Sequence, residues 1–204
     1  MPNLDLELSL HSRGYSLIAG IDEAGRGPLA GPVVAAAVVL PLPQDEPGWL
    51  KLVDDSKTLT PLQRRKALSR IETNAIAIGV GISNSSEIDS VGIGEATKRA
   101  MIQAINNLPI RPSYLLIDFV KLPEIAIPFH SFAHGDSISY SIAAASIVAK
   151  VTRDRLMDEA DHIYPGYEFS RNKGYPTAQH LRLLNIQGPC PIHRRSFRPL
   201  RTQR

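Results

Sequence analysis

Tyr15-Ser16-Leu17-Ile18-Ala19-Gly20-Ile21 runs without a break into Asp22-Glu23-Ala24-Gly25-Arg26-Gly27-Pro28. The first half is β-favouring and apolar, and the glycines of the second half must end or bend a strand. An apolar strand that leads directly into two acids crowds negative charge unless something cationic compensates it. Neighbouring residues on a regular strand point to opposite faces. For Asp22 and Glu23 to act on one spot, the backbone is expected to leave strand geometry there, which Gly25 makes feasible.

Outward from this stretch, Val33 to Leu40 is an uninterrupted apolar run that predicts a buried strand. Pro41, Pro43, Pro47 and Gly48 mark a loop. Thr60-Pro61-Leu62-Gln63 has the form of a capping box with proline at the first helical position, so a helix should follow and end near Thr73-Asn74. Ala75 to Ile82 reads as a strand, and Ser85-Ser86-Glu87 as the start of one longer helix that Pro109 must stop. Tyr114 to Ile117 is a short strand ending at Asp118, and a weaker one lies around Ile127 to Phe132. Ser139 to about His162 predicts a long helix with Ile142, Ala145, Ile147 and Val151 on its apolar face. Thr177 to Ile186 reads as a short helix after an irregular stretch, while residues 1–14 carry little pattern and read as a short extension. Adjacent strands first, then strands alternating with helices, predict a mixed-sheet α/β domain.

The composition, 43% hydrophobic and 21% charged over 204 residues, is that of an ordinary globular chain. No run is long enough to cross a bilayer and no secretory signal is visible, so no membrane contact is expected. The single cysteine, Cys190, excludes an internal disulfide and suits the cytoplasm. The net charge of +3 is unevenly spread: eight of the 23 basic residues follow Glu168, where no acidic residue occurs, and the preceding part, with 15 basic against all 20 acidic residues, carries −5. That basic C-terminal segment fits either a polyanion partner or a solvated tail.

Four acids stand where a functional carboxylate would be placed. Asp22 and Glu23 close the first strand, Asp118 closes the Leu115-Leu116-Ile117 strand, and Asp136 follows His134-Gly135 just before the long helix. Carboxylates at neighbouring strand ends can converge, and hard divalent cations are held by one or two of them together with water and phosphate oxygens. Asp136 could equally be a helix N-cap and Asp118 a turn residue. Neither nucleotide motif fits: Arg26-Gly27 stands where a Walker loop needs lysine then Ser/Thr, and Gly31 misses the dinucleotide spacing by one. A Gly-Arg-Gly turn still permits backbone amides to approach a sugar or phosphate closely.

Taken together, five segments resemble the ribonuclease HII family in the family's order, over Ile18 to Phe197. They are Gly20 to Pro32; Asp55-Ser56-Lys57-Thr58-Leu59; Leu116-Ile117-Asp118; Gly135-Asp136-Ser137 leading into Ser141 to Asp154; and Lys173-Gly174-Tyr175-Pro176-Thr177 with His193-Arg194-Arg195-Ser196-Phe197. The resemblance implies a ribonuclease H-like mixed five-stranded sheet flanked by helices with a small C-terminal helical part. One catalytic domain over 1–204 is expected, with a core at about 15–162 and a basic substrate-binding part at 163–204. It implies an endoribonuclease that hydrolyses the RNA strand of RNA–DNA hybrids and cuts 5′ of single ribonucleotides in duplex DNA, a step in ribonucleotide excision repair, leaving 3′-hydroxyl and 5′-phosphate ends. Two divalent ions, Mg²⁺ or Mn²⁺, would be bound by Asp22, Glu23, Asp118 and Asp136.

By motif position the Gly25-Arg26-Gly27 turn would contact the ribose 2′-hydroxyl, the group that tells RNA from DNA at one nucleotide. Tyr175 would pack on the following sugar, and Lys57, Lys150 and Lys173 would contact phosphates. Lys150 also reads as an ordinary helix ion pair with Asp154 four residues on. Ser56 and Thr58 read as polar contacts or as turn residues. The pair Asp54-Asp55 matches no ligand position, and Cys190 with His193 is too few for zinc. The type HIII enzymes usually carry a further N-terminal domain, for which the roughly 14 residues before the first strand are too few. The family often has a small residue after the strand-end aspartate, whereas this chain has Phe119. A monomer is expected, and a noncatalytic nucleic-acid-binding module is the alternative.

Overall fold

The first strand, β1, spans Ile18–Ala24 and so carries the two acids inside it. In the computed structural model, which describes residues 2–42, 47–54 and 56–202, β1 is the middle of a five-stranded sheet. Pro43 and Asp55, named above, and Arg204, one of the eight basic residues after Glu168, lie outside the described residues. The other strands are β2 (Val33–Val39), β3 (Ala77–Ser83), β4 (Tyr114–Asp118) and β5 (Phe129–Phe132), in the order β3-β2-β1-β4-β5. β1, β2 and β3 form an antiparallel meander, and β4 and β5 run parallel to β1. This is the mixed sheet that the strand order of the sequence predicts.

Helices cover both faces. On one side lie α2 (Pro61–Asn74) and α5 (Tyr140–Ile163), packed through Ala36, Val38, Leu68, Ile71, Ala144 and Ile147. On the other, α4 (Ile93–Asn106) packs Ala100, Met101 and Ala104 onto Ala19, Ile21, Ala35 and Ile117. With both faces buried, β2 loses the alternation of a half-exposed strand and is apolar throughout. A Cβ on Gly20 would lie 2.0 Å from the Ser141 carbonyl carbon. Glycine there is what lets α5 settle against the centre of the sheet. From Tyr140 to Ala149 every residue of α5 is buried, so the expected apolar face has no exposed opposite until the helix emerges.

The capping box at Thr60 forms in both directions, Gln63 N donating to Thr60 Oγ1 at 3.3 Å and Thr60 N to Gln63 Oε1 at 2.8 Å. The helix predicted from Ser85 to Pro109 is two helices, α3 (Ser85–Val91) and α4, divided at Gly92, whose φ of 81° leaves the helical region. Asn84 rather than the serines caps α3, accepting from Glu87 N at 2.9 Å. Residues 2–14 are more than an extension. They form α1 (Asp5–Ser12), which buries Glu7 and Leu10. Two short helices, α6 (Phe169–Asn172) and α7 (Ala178–Gln187), follow α5 and carry a satellite core of Leu29, Met157, Tyr167, Phe169 and Leu184. Among the described residues no helix is long and apolar enough to cross a membrane.

Candidate active site

The parallel register pairs Ile21 with Ile117, so its next step sets Asp22 beside Asp118 at the carboxyl ends of two neighbouring strands. The antiparallel ladder continues regularly through Glu23 with Ala35 and Ala24 with Val34. The expected departure from strand geometry at the acid pair therefore does not occur. The chain turns only at Gly25, at a φ of 99°. Convergence comes instead from the partners around the pair. Asp118 raises the proton affinity of both Asp22 and Glu23, and Lys57 stands near both Glu23 and Asp118. Asp118 Oδ1 accepts the Gly135 N–H at 2.7 Å, which ties the β4 end to the turn carrying Asp136. That turn, Gly135–Ser137, is a single 3₁₀ turn, and the N-cap of α5 is Ser139. Asp136 is thus a buried side chain ion-paired to Lys57 Nζ at 3.2 Å, not a helix cap.

The electrostatics show what this assembly lacks. Burial, then the charges of Glu23 and Asp118, hold the Asp22 carboxyl well above the usual carboxylate range, although Glu23 N donates to it at 2.7 Å and Ser146 also supports it. Burial raises Glu23 against the pull of Arg26, whose Nη1 lies 3.2 Å from Glu23 Oε1. Asp118 is raised by burial and by the charge of Asp136, against the Gly135 amide and Lys57. Among the described residues the buried Glu23 Oε2 has no hydrogen-bond partner. Crowded carboxylates with an orphan buried oxygen are short of positive charge, the condition a hard divalent cation relieves. Among the described residues no three acidic, histidine or cysteine side chains already close around one ion. Phosphate and water oxygens would then complete the ligand set, as is usual for Mg²⁺. The four carboxylates fit such an ion.

Beside them the Gly25–Gly27 loop rests on a buried arginine that reading the sequence assigned to the basic tail. Arg194 is fully buried and donates from Nε to Gly31 O at 2.9 Å, from Nη1 to Arg26 O at 2.9 Å and from Nη2 to Gly25 O at 2.6 Å. Burial lowers this guanidinium to about 9, so it stays charged at neutral pH. Arg153, also fully buried, holds Pro32 O, Lys173 O and Ala30 O at 2.9–3.1 Å. A trans peptide points its N–H opposite to the preceding C=O. With the Gly25 and Arg26 carbonyls turned onto Arg194, the Arg26 and Gly27 amides face away from it, on the side where Gly27 is exposed. Among the described residues neither donor has an acceptor, so two consecutive amides are open to a ligand.

The C-terminal segment is stitched to this loop rather than trailing from it. Arg194 N donates to Leu29 O and Gly31 N to Ile192 O, while Arg195 N, Ser196 N and Ser196 Oγ all reach the Asp89 carboxylate. The solvated-tail reading therefore fails for residues 192–196. Of the expected phosphate contacts, Lys57 is exposed and lies against Asp136, Lys150 pairs with Asp154 at 2.7 Å, and Lys173 pairs with Asp158. Lys150 thus makes the helix pair that its spacing suggested. Ser56 bonds Ser146 at 2.7 Å, and Arg64 holds the Ser56 and Leu59 carbonyls, so the Ser56–Leu59 segment is fixed from two sides. Tyr175 is 41% exposed, with Lys150 and Arg153 each about one ring-contact distance from its face, at 5.9 and 5.8 Å. Behind it His180 Nδ1 bonds Tyr175 O at 2.8 Å, His180 Nε2 meets His193 Nε2 at 3.1 Å, and His193 Nδ1 takes Cys190 N at 3.0 Å. Cys190 and His193 are thus used in a buried hydrogen-bond chain.

Residues 19–200 match the family model described as Ribonuclease HII. The "Ribonuclease HII" of Chloroflexus aurantiacus is 53% identical over 201 residues, covering 98% of this chain and 95% of that one. The protein of the same description from Dehalococcoides mccartyi is 49% identical over 196 residues, covering 96% and 92%. Among solved structures, the ribonuclease H2 of Pyrococcus horikoshii OT3 is 28% identical with a TM-score of 0.73, covering 91% of this chain and 95% of that one.

Proposed function

The chain belongs to the ribonuclease HII family and is a metal-dependent endonuclease of the ribonuclease H type; from that premise we propose that it cuts duplex DNA on the 5′ side of an embedded ribonucleotide and hydrolyses the RNA strand of RNA–DNA hybrids. The observation that carries this reading is the crowding of Asp22, Glu23, Asp118 and Asp136 beside a loop whose Gly25 and Arg26 carbonyls are turned onto Arg194. Asp22, Glu23, Asp118 and Asp136 would hold two divalent ions, Mg²⁺ or Mn²⁺, which when bound supply an activated water and charge neutralisation for an in-line phosphoryl displacement.

The remaining work falls to the protein. The Arg26 and Gly27 amides meet the ribose 2′-hydroxyl, held in place from below by Arg194. Tyr175 lies along the next sugar, which favours a ribose-to-deoxyribose junction. Lys57, exposed and beside Asp136, gives up part of its pairing to a phosphate, and Lys150 and Lys173 add positive potential from behind Asp154 and Asp158. Contacts of this kind set the register of the duplex and read no bases. On this reading residues 1–204 act as one catalytic unit in the cytoplasm, and the protein works as a monomer. The direct test is incubation with Mg²⁺ or Mn²⁺ and labelled duplex DNA bearing one ribonucleotide, beside Asp118→Asn and an all-DNA control. Cleavage 5′ of the ribonucleotide by the unmodified protein alone is expected. Binding without cutting in either metal would overturn the reading.

A further inference from the structure

Phe119 follows the strand-end Asp118 directly and is doubly uncomfortable in the fold. Its φ is 55°, in the left-handed region that glycine and asparagine enter far more readily than a bulky aromatic residue. Its ring is 66% exposed, so it contributes little to the core. The backbone there is held by the Phe119 N–H, which donates to Phe132 O at 2.7 Å. That bond needs only a backbone, and a glycine would satisfy it with less strain. What the fold gains from a phenylalanine here is therefore small, and strained, exposed side chains next to catalytic groups point to something that binds them.

The surroundings say what. Arg26 Cζ lies 5.9 Å from the centre of the Phe119 ring, and the same guanidinium reaches Glu23 at 3.2 Å. One residue further along the loop, Tyr175 Cε1 lies 4.0 Å from where a Cβ on Gly27 would stand. The Gly25–Gly27 loop is thus bracketed by two exposed aromatic rings, Phe119 through Arg26 and Tyr175 through Gly27. Aromatic faces set beside cationic groups and open amides suit the sugars and bases of a nucleic acid strand. Resting on the function proposed above, we infer that Phe119 is a substrate contact, packing against a nucleotide that flanks the ribonucleotide on the side of the loop away from Tyr175. The substrate strand is then gripped by an aromatic ring at each end of the loop.

The test compares the full chain with Phe119→Gly and Phe119→Ala on labelled duplex DNA bearing one ribonucleotide. Further duplexes replace each flanking nucleotide by an abasic tetrahydrofuran, which keeps the sugar, or by a propanediol linker, which removes sugar and base. Phe119→Gly is expected to raise KM about fivefold, the lower end for loss of one aromatic–nucleotide contact, and to raise the melting temperature because glycine relieves the strained φ. Weaker substrate binding in a more stable fold is a combination that a structural role does not produce. On one flank, and only one, the difference between wild type and variant should vanish with the linker. Its vanishing already with the abasic duplex identifies the base as the contact, and its vanishing only with the linker identifies the sugar. An unchanged KM, a lowered melting temperature, or a KM difference that survives every flanking replacement would each overturn the inference. Failure of the wild type to cut the unmodified duplex would instead overturn the function it rests on.

Discussion

Replacing Arg194 by methionine tests the idea that a buried cation shapes the substrate loop. The substitution keeps most of the aliphatic volume and deletes three donors, those to Gly25 O, Arg26 O and Gly31 O. Each buried carbonyl left without a partner costs roughly 1–3 kcal/mol. Three of them would cost up to about 9 kcal/mol if nothing relaxed, but removing a desolvated charge returns several kcal/mol. Gly27 is exposed and the loop is short, so water should reach at least one of the carbonyls. The expected net loss is about 3 kcal/mol of unfolding free energy, read from urea transitions followed by circular dichroism. Arg194→Lys should recover less than half of it, because one ammonium on a shorter stem cannot fork onto three carbonyls. Under conditions where Arg194→Lys is folded, kcat/KM on a single-ribonucleotide duplex should still fall, since the Arg26 and Gly27 amides lose their fixed direction. A loss below about 1 kcal/mol for the methionine variant, or full activity in the lysine variant, would refute the reasoning.

Other consequences are sharper in pH and salt. Asp22 binds its proton more tightly in the fold than in the unfolded chain, so its contribution to stability is present below the ordinary carboxylate range and lost as pH rises through its folded value. Asp22→Asn should therefore melt higher than the metal-free wild type at pH 7, by a margin that shrinks toward pH 4, while Mg²⁺ should raise the melting temperature of the wild type alone; equal metal-free stability at pH 7 would count against the crowding argument. His193 behaves in the opposite sense: burial, with His180 adding to it, lowers it from 6.5 to about 4. The unfolded chain takes up the proton first, so stability should be flat above about pH 6.5 and fall toward pH 4 with a slope approaching one proton, about 1.4 kcal/mol per pH unit. In His193→Gln that slope should shrink, and an unchanged acid limb in urea titrations would remove His193 as its source. Affinity for an uncleaved duplex should fall as salt rises, with a shallower log–log slope in Lys57→Ala than in the wild type; identical slopes would exclude a phosphate contact there.

Much of the framework was legible because it rests on local rules. The capping box at Thr60, the apolar run of β2 and the strand ending at Asp118 each announce themselves within a few residues. β1 was read as beginning at Tyr15, three residues before it does, because Tyr15 to Leu17 are β-favouring in composition; Gly20 serves the close approach of α5 inside the strand, and only Gly25 leaves the sheet. The break at Gly92 was hidden within a helical composition that continues on both sides. α1 carries no clear amphipathic signal and depends on tertiary contacts. Glu7 Oε1 accepts from Ser139 Oγ and Ser141 N at the start of α5, a partner 132 residues distant. The four acids were visible as strand-end residues, but how they meet depends on strand pairing and on the Gly135 amide, which no window of sequence contains. Arg153 and Arg194 were missed because arginine usually marks surface. A glycine-rich loop whose carbonyls must find donors was the available hint, and it lies far from both arginines in the chain.

The bond from Arg194 to the Gly25 carbonyl joins residues 169 positions apart. Synthesis proceeds from the amino terminus, so the carboxylates and the Gly-Arg-Gly turn leave the ribosome long before their brace is made. A nascent or prematurely terminated chain lacking residues 192–196 carries every acid of the site yet lacks the support that aims its amides. On the function proposed above, the loop can present those amides to a ribonucleotide only after residues 192–196 have been made, so copies that stop short of them should nick poorly.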